Sequence, residues 1–146
     1  MFTAAKLKMT EIRVFIDPII SMASLQIVMT NGWSERESSK VGEQRVKPNK
    51  CIKIAKDKHV SRVGVQYIDG EIYGITVEND EGESDTISTS RRGKWFYMRL
   101  KKENELTGFY GYTRYYRETD FTTIAALGIV TQSRNKWNIR PLSLLI

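Results

Sequence analysis

The stretch IKIAKDKHVSRV, residues 52–63, and the stretch MRLKKENELTGF, residues 98–109, follow one pattern at a constant offset of 46 residues. Ile52 falls on Met98, Ile54 on Leu100, Lys56 on Lys102, Asp57 on Glu103, Val60 on Leu106 and Val63 on Phe109. A second set of segments repeats as well: IISMASLQIVMT at 19–30 overlays FTTIAALGIVTQ at 121–132, with Leu25 on Leu127 and Ile27 on Ile129, and GEIYGITVEN supplies Ile75 and Val77 at the same places. Spacings of 50 and 52 residues describe three copies of one unit. A unit of a few strands is not stable alone in water, whereas three units with one apolar face each can bury those faces around a common axis. Leu25, Ile75 and Leu127 are therefore expected at equivalent buried positions.

The units read as strands. Apolar residues alternate in EIRVFID (Ile12, Val14, Ile16), LQIVM (Leu25, Ile27, Met29), IKI, VGVQY (Val63, Val65, Tyr67) and GITVEN (Ile75, Val77), the period of a half-buried strand. Turn chemistry separates them, in TNGW, KPNK, YIDGE, NDEGES and RRGK. The segment TTIAALGIV contains residues that favour helix, but the repeat assigns it to a strand. The expectation is an all-β domain with approximate threefold symmetry.

Composition limits what such a domain can do. The chain of 146 residues is long enough for one self-sufficient core. His59 is the only histidine and Cys51 the only cysteine, so neither a common zinc set nor a histidine-based triad can be assembled. His59 overlays Glu105 in the repeat, which fits a structural polar position. Carboxylates cluster in ENDEGESD at 78–85, but without the spacing of an EF-hand, and they read as a solvated turn. No phosphate-binding or dinucleotide fingerprint is present, so no cofactor is expected and the chain does not read as an enzyme. A net charge of +6 is compatible with acidic partners. The basic residues are interspersed with carboxylates and accompanied by no nucleic-acid-binding motif, so specific nucleic-acid binding is not expected. The opening MFTAAKLKMTEIRVF has no apolar run of signal-peptide type and no segment has membrane-spanning length; with no cysteine pair or glycosylation sequon, a cytoplasmic, intracellular setting is the expectation.

The order EIRVFID, LQIVMTNGWSE, IKIAKDKHVSRVGVQY, MRLKKENELTGFYG and IAALGIV resembles the jacalin-like lectins, including their animal zymogen-granule relatives. The strand ending in ELTGFYG is similar to the family's I-x-G-F-x-G, and AALG to its L-D-A-I-G. The resemblance covers roughly residues 11–131, with an N-terminal extension at 1–10 and a C-terminal tail at 132–146. It implies a β-prism of three four-stranded Greek-key sheets and a non-catalytic role in carbohydrate recognition through loops at one end of the prism.

It also implies where the sugar site lies: between GFYG (108–111) and IAALG (124–128), with an aspartate accepting hydrogen bonds from sugar hydroxyls. That aspartate position is Ala125 here, and the intervening segment YTRYYRETDFTT is longer than the family's glycine-containing turn. The family's glycine-rich loop is reduced to SSKVGE at 38–43, and the free N-terminal glycine of processed plant members has no counterpart. The candidate site comprises Gly111, Tyr112, Thr113, Arg114, Tyr115, Tyr116, Arg117, Asp120 and Ala125. Two readings stand. Tyr and Arg side chains could present a recognition surface for a glycan or for a partner protein in an oligomer or larger assembly. Alternatively, alternate tyrosines could lie along a strand hairpin and pack on a neighbouring sheet. Beyond Pro141, the apolar LSLLI reads either as a last strand or as an anchor for a partner.

Overall fold

The computed structural model describes residues 7–134. The suggested roles of the tail beyond Arg134 and of the first six residues lie outside that range. Among the described residues there are eleven strands: β1 Lys8–Asp17, β2 Ser21–Thr30, β3 Glu35–Glu37, β4 Val41–Gly42, β5 Lys50–Lys53, β6 Val60–Ile68, β7 Glu71–Asn79, β8 Ser84–Ser88, β9 Lys94–Arg99, β10 Asn104–Tyr116 and β11 Phe121–Ser133. Among the described residues there is no helix. TTIAALGIV lies in β11, because alternate residues of that segment have a core to cover.

The first two units share one Greek-key layout. In the first sheet the order is β3-β2-β1-β5, with β4 also paired to β2, and in the second it is β8-β7-β6-β9. In each, the second member of a hairpin gains added strands, β3 and β4 on β2 and β8 on β7, and the chain then returns to pair with the first member. The third sheet, within the described residues, is the long hairpin β10-β11. All pairings are antiparallel.

The three central hairpins carry the repeat down to their irregularities. Each has two β-bulges at corresponding places. Thr10, Ser61 and Thr107 drop out of register on the first strand, and Ala23, Tyr73 and Ala125 on the second. A bulge bends and twists its strand, so paired bulges in each copy give three sheets of matching curvature. The residue types at the first bulge are explained by a hydrogen bond the threefold pattern repeats. The hydroxyls of Thr10, Ser61 and Thr107 donate to the carbonyls of Val28, Glu78 and Val130 at 3.4, 3.2 and 3.2 Å. The turn YIDGE needs two residues of positive φ, met by Asp69 (49°) and Gly70 (78°), the geometry that lets a two-residue hairpin follow strand twist.

The core lies where the inner faces meet. Met9, Val60 and Leu106 form one buried layer and Met22, Ile72 and Ile124 another. At the anticipated layer, Leu25 and Ile75 are buried, but Leu127 is only partly so. The reason is its cross-strand partner: Leu25 faces Val14 and Ile75 faces Val65, whereas Leu127 faces Gly111. A Cβ at 111 would meet the Ala126 carbonyl oxygen at 1.9 Å. A groove of about 400 Å³ runs here between the first and third sheets, lined among others by Leu25, Phe109, Gly111 and Leu127.

This asymmetry is measurable. Leu25→Ala is expected to cost about 2–5 kcal/mol, as for other large-to-small core changes, and Leu127→Ala distinctly less because part of its surface is already wet. Urea denaturation of both variants checks this; equal losses would show that the third sheet is packed as tightly as the first.

Candidate recognition site at one end of the prism

The segment between GFYG and IAALG is a hairpin rather than an open loop. β10 continues to Tyr116 and β11 starts at Phe121, leaving Arg117–Asp120 as the turn. Alternation along this ribbon sends neighbouring side chains to different sheets. Arg114 and Tyr116 reach the second unit, where both donate to Glu71 Oε1, Arg114 at 3.1 Å. Tyr115 points the other way and donates to Asp120 Oδ1. Tyr112 stays out in solvent, 76% exposed, with Tyr115 at 57%. Tyr116 thus packs on a neighbouring sheet, as the second sequence reading expects, while Tyr112 and Tyr115 remain exposed.

On the Tyr115 side the hairpin meets the reduced loop SSKVGE. The Glu43 backbone N–H donates to the Ala23 carbonyl at 2.7 Å, across the bulge. Its side chain is buried and receives a fork from Arg45, Nε to Oε2 at 2.7 Å and Nη2 to Oε1 at 2.9 Å, plus the Thr122 N–H at 3.0 Å. These charge-assisted bonds favour the ionised form. The Arg45 guanidinium first, then the Thr122 N–H, hold the Glu43 carboxyl down at about 2. Glu43 in turn pushes Arg45 above its ordinary range. Arg45 then reaches the hairpin turn, bonding the Asp120 carbonyl and lying 3.4 Å from Asp120 Oδ2, with its guanidinium 5.9 Å from the Phe121 ring centroid. Asp120, at φ 51°, holds a carboxylate that is 70% exposed. The phenol of Tyr115 is raised by its bond to that carboxylate and then by burial.

Of the candidate residues, Tyr115 and Asp120 converge with Glu43 and Arg45. Arg114 and Tyr116 belong to the opposite side of the ribbon. Gly111, Tyr112 and Thr113 lie further down β10, and Arg117 is an exposed turn residue. Ala125 occupies the bulge of β11 and brings no acceptor. Glu43 and Arg45 were not singled out by the sequence; their only local signal is a carboxylate two residues before an arginine, and their partners lie more than 70 residues away.

Other sequence features have structural partners. Glu81 and Glu83 of the acidic turn both pair with Lys58, and Glu78 with Arg62 at 2.7 Å. Among the described residues no group of His, Cys, Asp and Glu could hold a metal ion, and no helix is long and apolar enough to cross a membrane.

No protein-family model and no curated protein matches the chain. Solved structures do. A prostate-specific WGA16 glycoprotein lectin superposes with a TM-score of 0.66 at 20% identity, over 91% of this chain and 88% of that one. The agglutinin of Calystegia sepium gives 0.63 at 17%, over 90% and 86%. AcmJRL, a mannose-binding jacalin-related lectin from Ananas comosus, gives 0.62 at 12%, over 91% and 87%. The fold is the β-prism of the jacalin-related lectins. In this β-prism the hairpin tips gather at one end, and the Glu43–Arg45–Asp120 assembly is built there.

The depressed Glu43 gives a pH signature. Its folded value lies below the ordinary 4.5, so its stabilisation is complete above about 4.5 and is lost as pH falls from there to about 2. Glu43→Gln is expected to flatten the fall in stability across that window relative to the parent protein, read from thermal midpoints between pH 5 and pH 2. An unchanged slope would mean that Glu43 titrates as an ordinary carboxyl.

Proposed function

We propose that this protein is a non-catalytic carbohydrate-recognition module of the jacalin-related lectin class, of the kind found in the animal zymogen-granule relatives, acting through the end of the prism where the third hairpin meets the 38–45 loop. The observation that supports it is the convergence of Asp120, Tyr115 and Arg45 at that end, in a chain whose fold neighbours are lectins. Ala125 lacks the acceptor that the sequence resemblance places there, and Asp120 takes over that role from the turn. Its carboxylate is exposed and oriented from two sides, by Arg45 and by the Tyr115 hydroxyl, so it can accept from sugar hydroxyls without first paying to become ordered. Tyr115 offers a ring face to the apolar side of a pyranose.

A screen against an array of glycans, followed by calorimetry on the best one, tests the reading. Asp120→Ala is expected to weaken binding at least tenfold. Tyr115→Phe, which keeps the ring and removes the hydroxyl that positions Asp120, is expected to weaken it by a few-fold. Restoring the family acceptor with Ala125→Asp is expected to add little, since the hairpin turn is shaped around Asp120. Exposed Tyr110 and Tyr112 on β10 favour a second reading as a protein-docking subunit; absence of saturable binding to any glycan, with a stoichiometric protein partner lost on Tyr112→Ala, would replace the carbohydrate reading by that one.

A further inference from the structure

The opposite side of the same hairpin has a cleft of its own. It measures about 450 Å³ and is walled by Ile19, Ile20, Tyr73, Tyr116 and Phe121, with Glu71 and Glu118 among its lining. That is the size of a small-molecule site, with apolar walls and a few polar groups. Ile19 is 87% exposed and forms a rim. The chain as a whole is positive, yet this spot is locally acidic: Glu71, Glu118 and Asp69 stand against Arg114 and Arg92. Burial first, and then the Glu71 charge, raise the Tyr73 phenol above its ordinary value.

The Glu71 carboxylate restricts which cation fits. Its Oε1 already accepts from Arg114 and Tyr116, and its Oε2 from Ser21 at 3.2 Å and Thr123 at 3.0 Å. Its lone pairs are used, but its charge is offset only by Arg114, a half-exposed guanidinium in a weak ion pair. Against Glu71 an incoming group therefore meets negative potential and aromatic side chains with no acceptor left on that carboxylate, while Glu118 stands exposed at the rim. A primary ammonium seated against Glu71 would lose water hydrogen bonds that Glu71 cannot replace, whereas a quaternary ammonium has no N–H to satisfy and gains from charge and ring faces together. We propose that this cleft binds a trimethylammonium group. The site is separate from the Asp120 surface, so its failure would leave the carbohydrate reading standing.

Titration of the isotope-labelled full chain with choline, followed by amide NMR shifts, is the test, with the carbon isostere dimethylbutanol as control at matched ionic strength. Choline is expected to shift Glu71, Phe121 and Thr123 saturably, and the isostere to bind several-fold more weakly. Phe121→Leu should weaken choline by about three- to thirtyfold. Glu118→Gln should weaken it by a few-fold, and Arg114→Gln, which removes the competing cation, should tighten it. Glu71 itself ties the three units together, so the charge test rests on Glu118 and Arg114. Phe121-dependent co-sedimentation with phosphatidylcholine vesicles would identify a lipid headgroup as the source of the group, and choline binding without it a soluble ligand. The proposal is overturned if choline produces no saturable shifts, if the isostere binds equally well, or if binding survives Phe121→Leu unchanged.

Discussion

The structure depends on two carboxylates at the ends of the axis about which the three units are arranged. Ser21, Glu71 and Thr123 occupy corresponding positions at the start of the three second strands, and both hydroxyls donate to Glu71 Oε2. At the other end Lys8, His59 and Glu105 correspond, each just before the first bulge. His59 Nδ1 lies 2.5 Å from Glu105 Oε1, and Lys8 Nζ lies 3.8 Å from Oε2. Burial lowers the Lys8 pKa, with Glu105 the largest opposing influence. Corresponding residues of three copies can touch one another only around their common axis. Each carboxylate thus links all three units, and each is nearly enclosed. An enclosed charge with its partners removed is costly, so these contacts favour the one arrangement in which all three sheets meet.

That geometry also explains which parts of the repeat were legible. Layers of the apolar core can hold similar residues three times over, as Met9, Val60 and Leu106 do, and the periodicity of such positions exposed both the strands and the threefold pattern. At the axis, three identical charges would repel. The copies must diverge there into acceptor and donors, so His59 reads in sequence as an unremarkable polar match for Glu105 when it is in fact its partner. Leu127 failed to match Leu25 in burial for a reason written one strand away, in Gly111. The Glu43–Arg45 fork escaped notice because its meaning depends on Asp120 and Thr122, brought close only by the folding of the third unit against the first.

The proposed function rests on the position of the third hairpin. Its strands are longer than the other two hairpins', so its tip projects past them, and the period of two divides its side chains between two neighbours. Tyr115 and Asp120 join Arg45 of the first unit, while Arg114 and Tyr116 join Glu71 of the second. The tip is thereby held from both sides before any ligand arrives, and what it presents is a preorganised rim between two clefts. In the proposed carbohydrate reading, Asp120 on the turn, fixed by Arg45, serves as the acceptor that Ala125 does not supply.

The central claim, that recognition occurs at this end of the prism, is tested most directly by mapping amide shifts as a bound oligosaccharide is titrated into the labelled protein. The account predicts perturbations confined to residues 38–45 and 112–125, centred on Asp120. Perturbations centred on the opposite end, around Lys8, His59 and Glu105, or spread along the outer sheet faces, would contradict it.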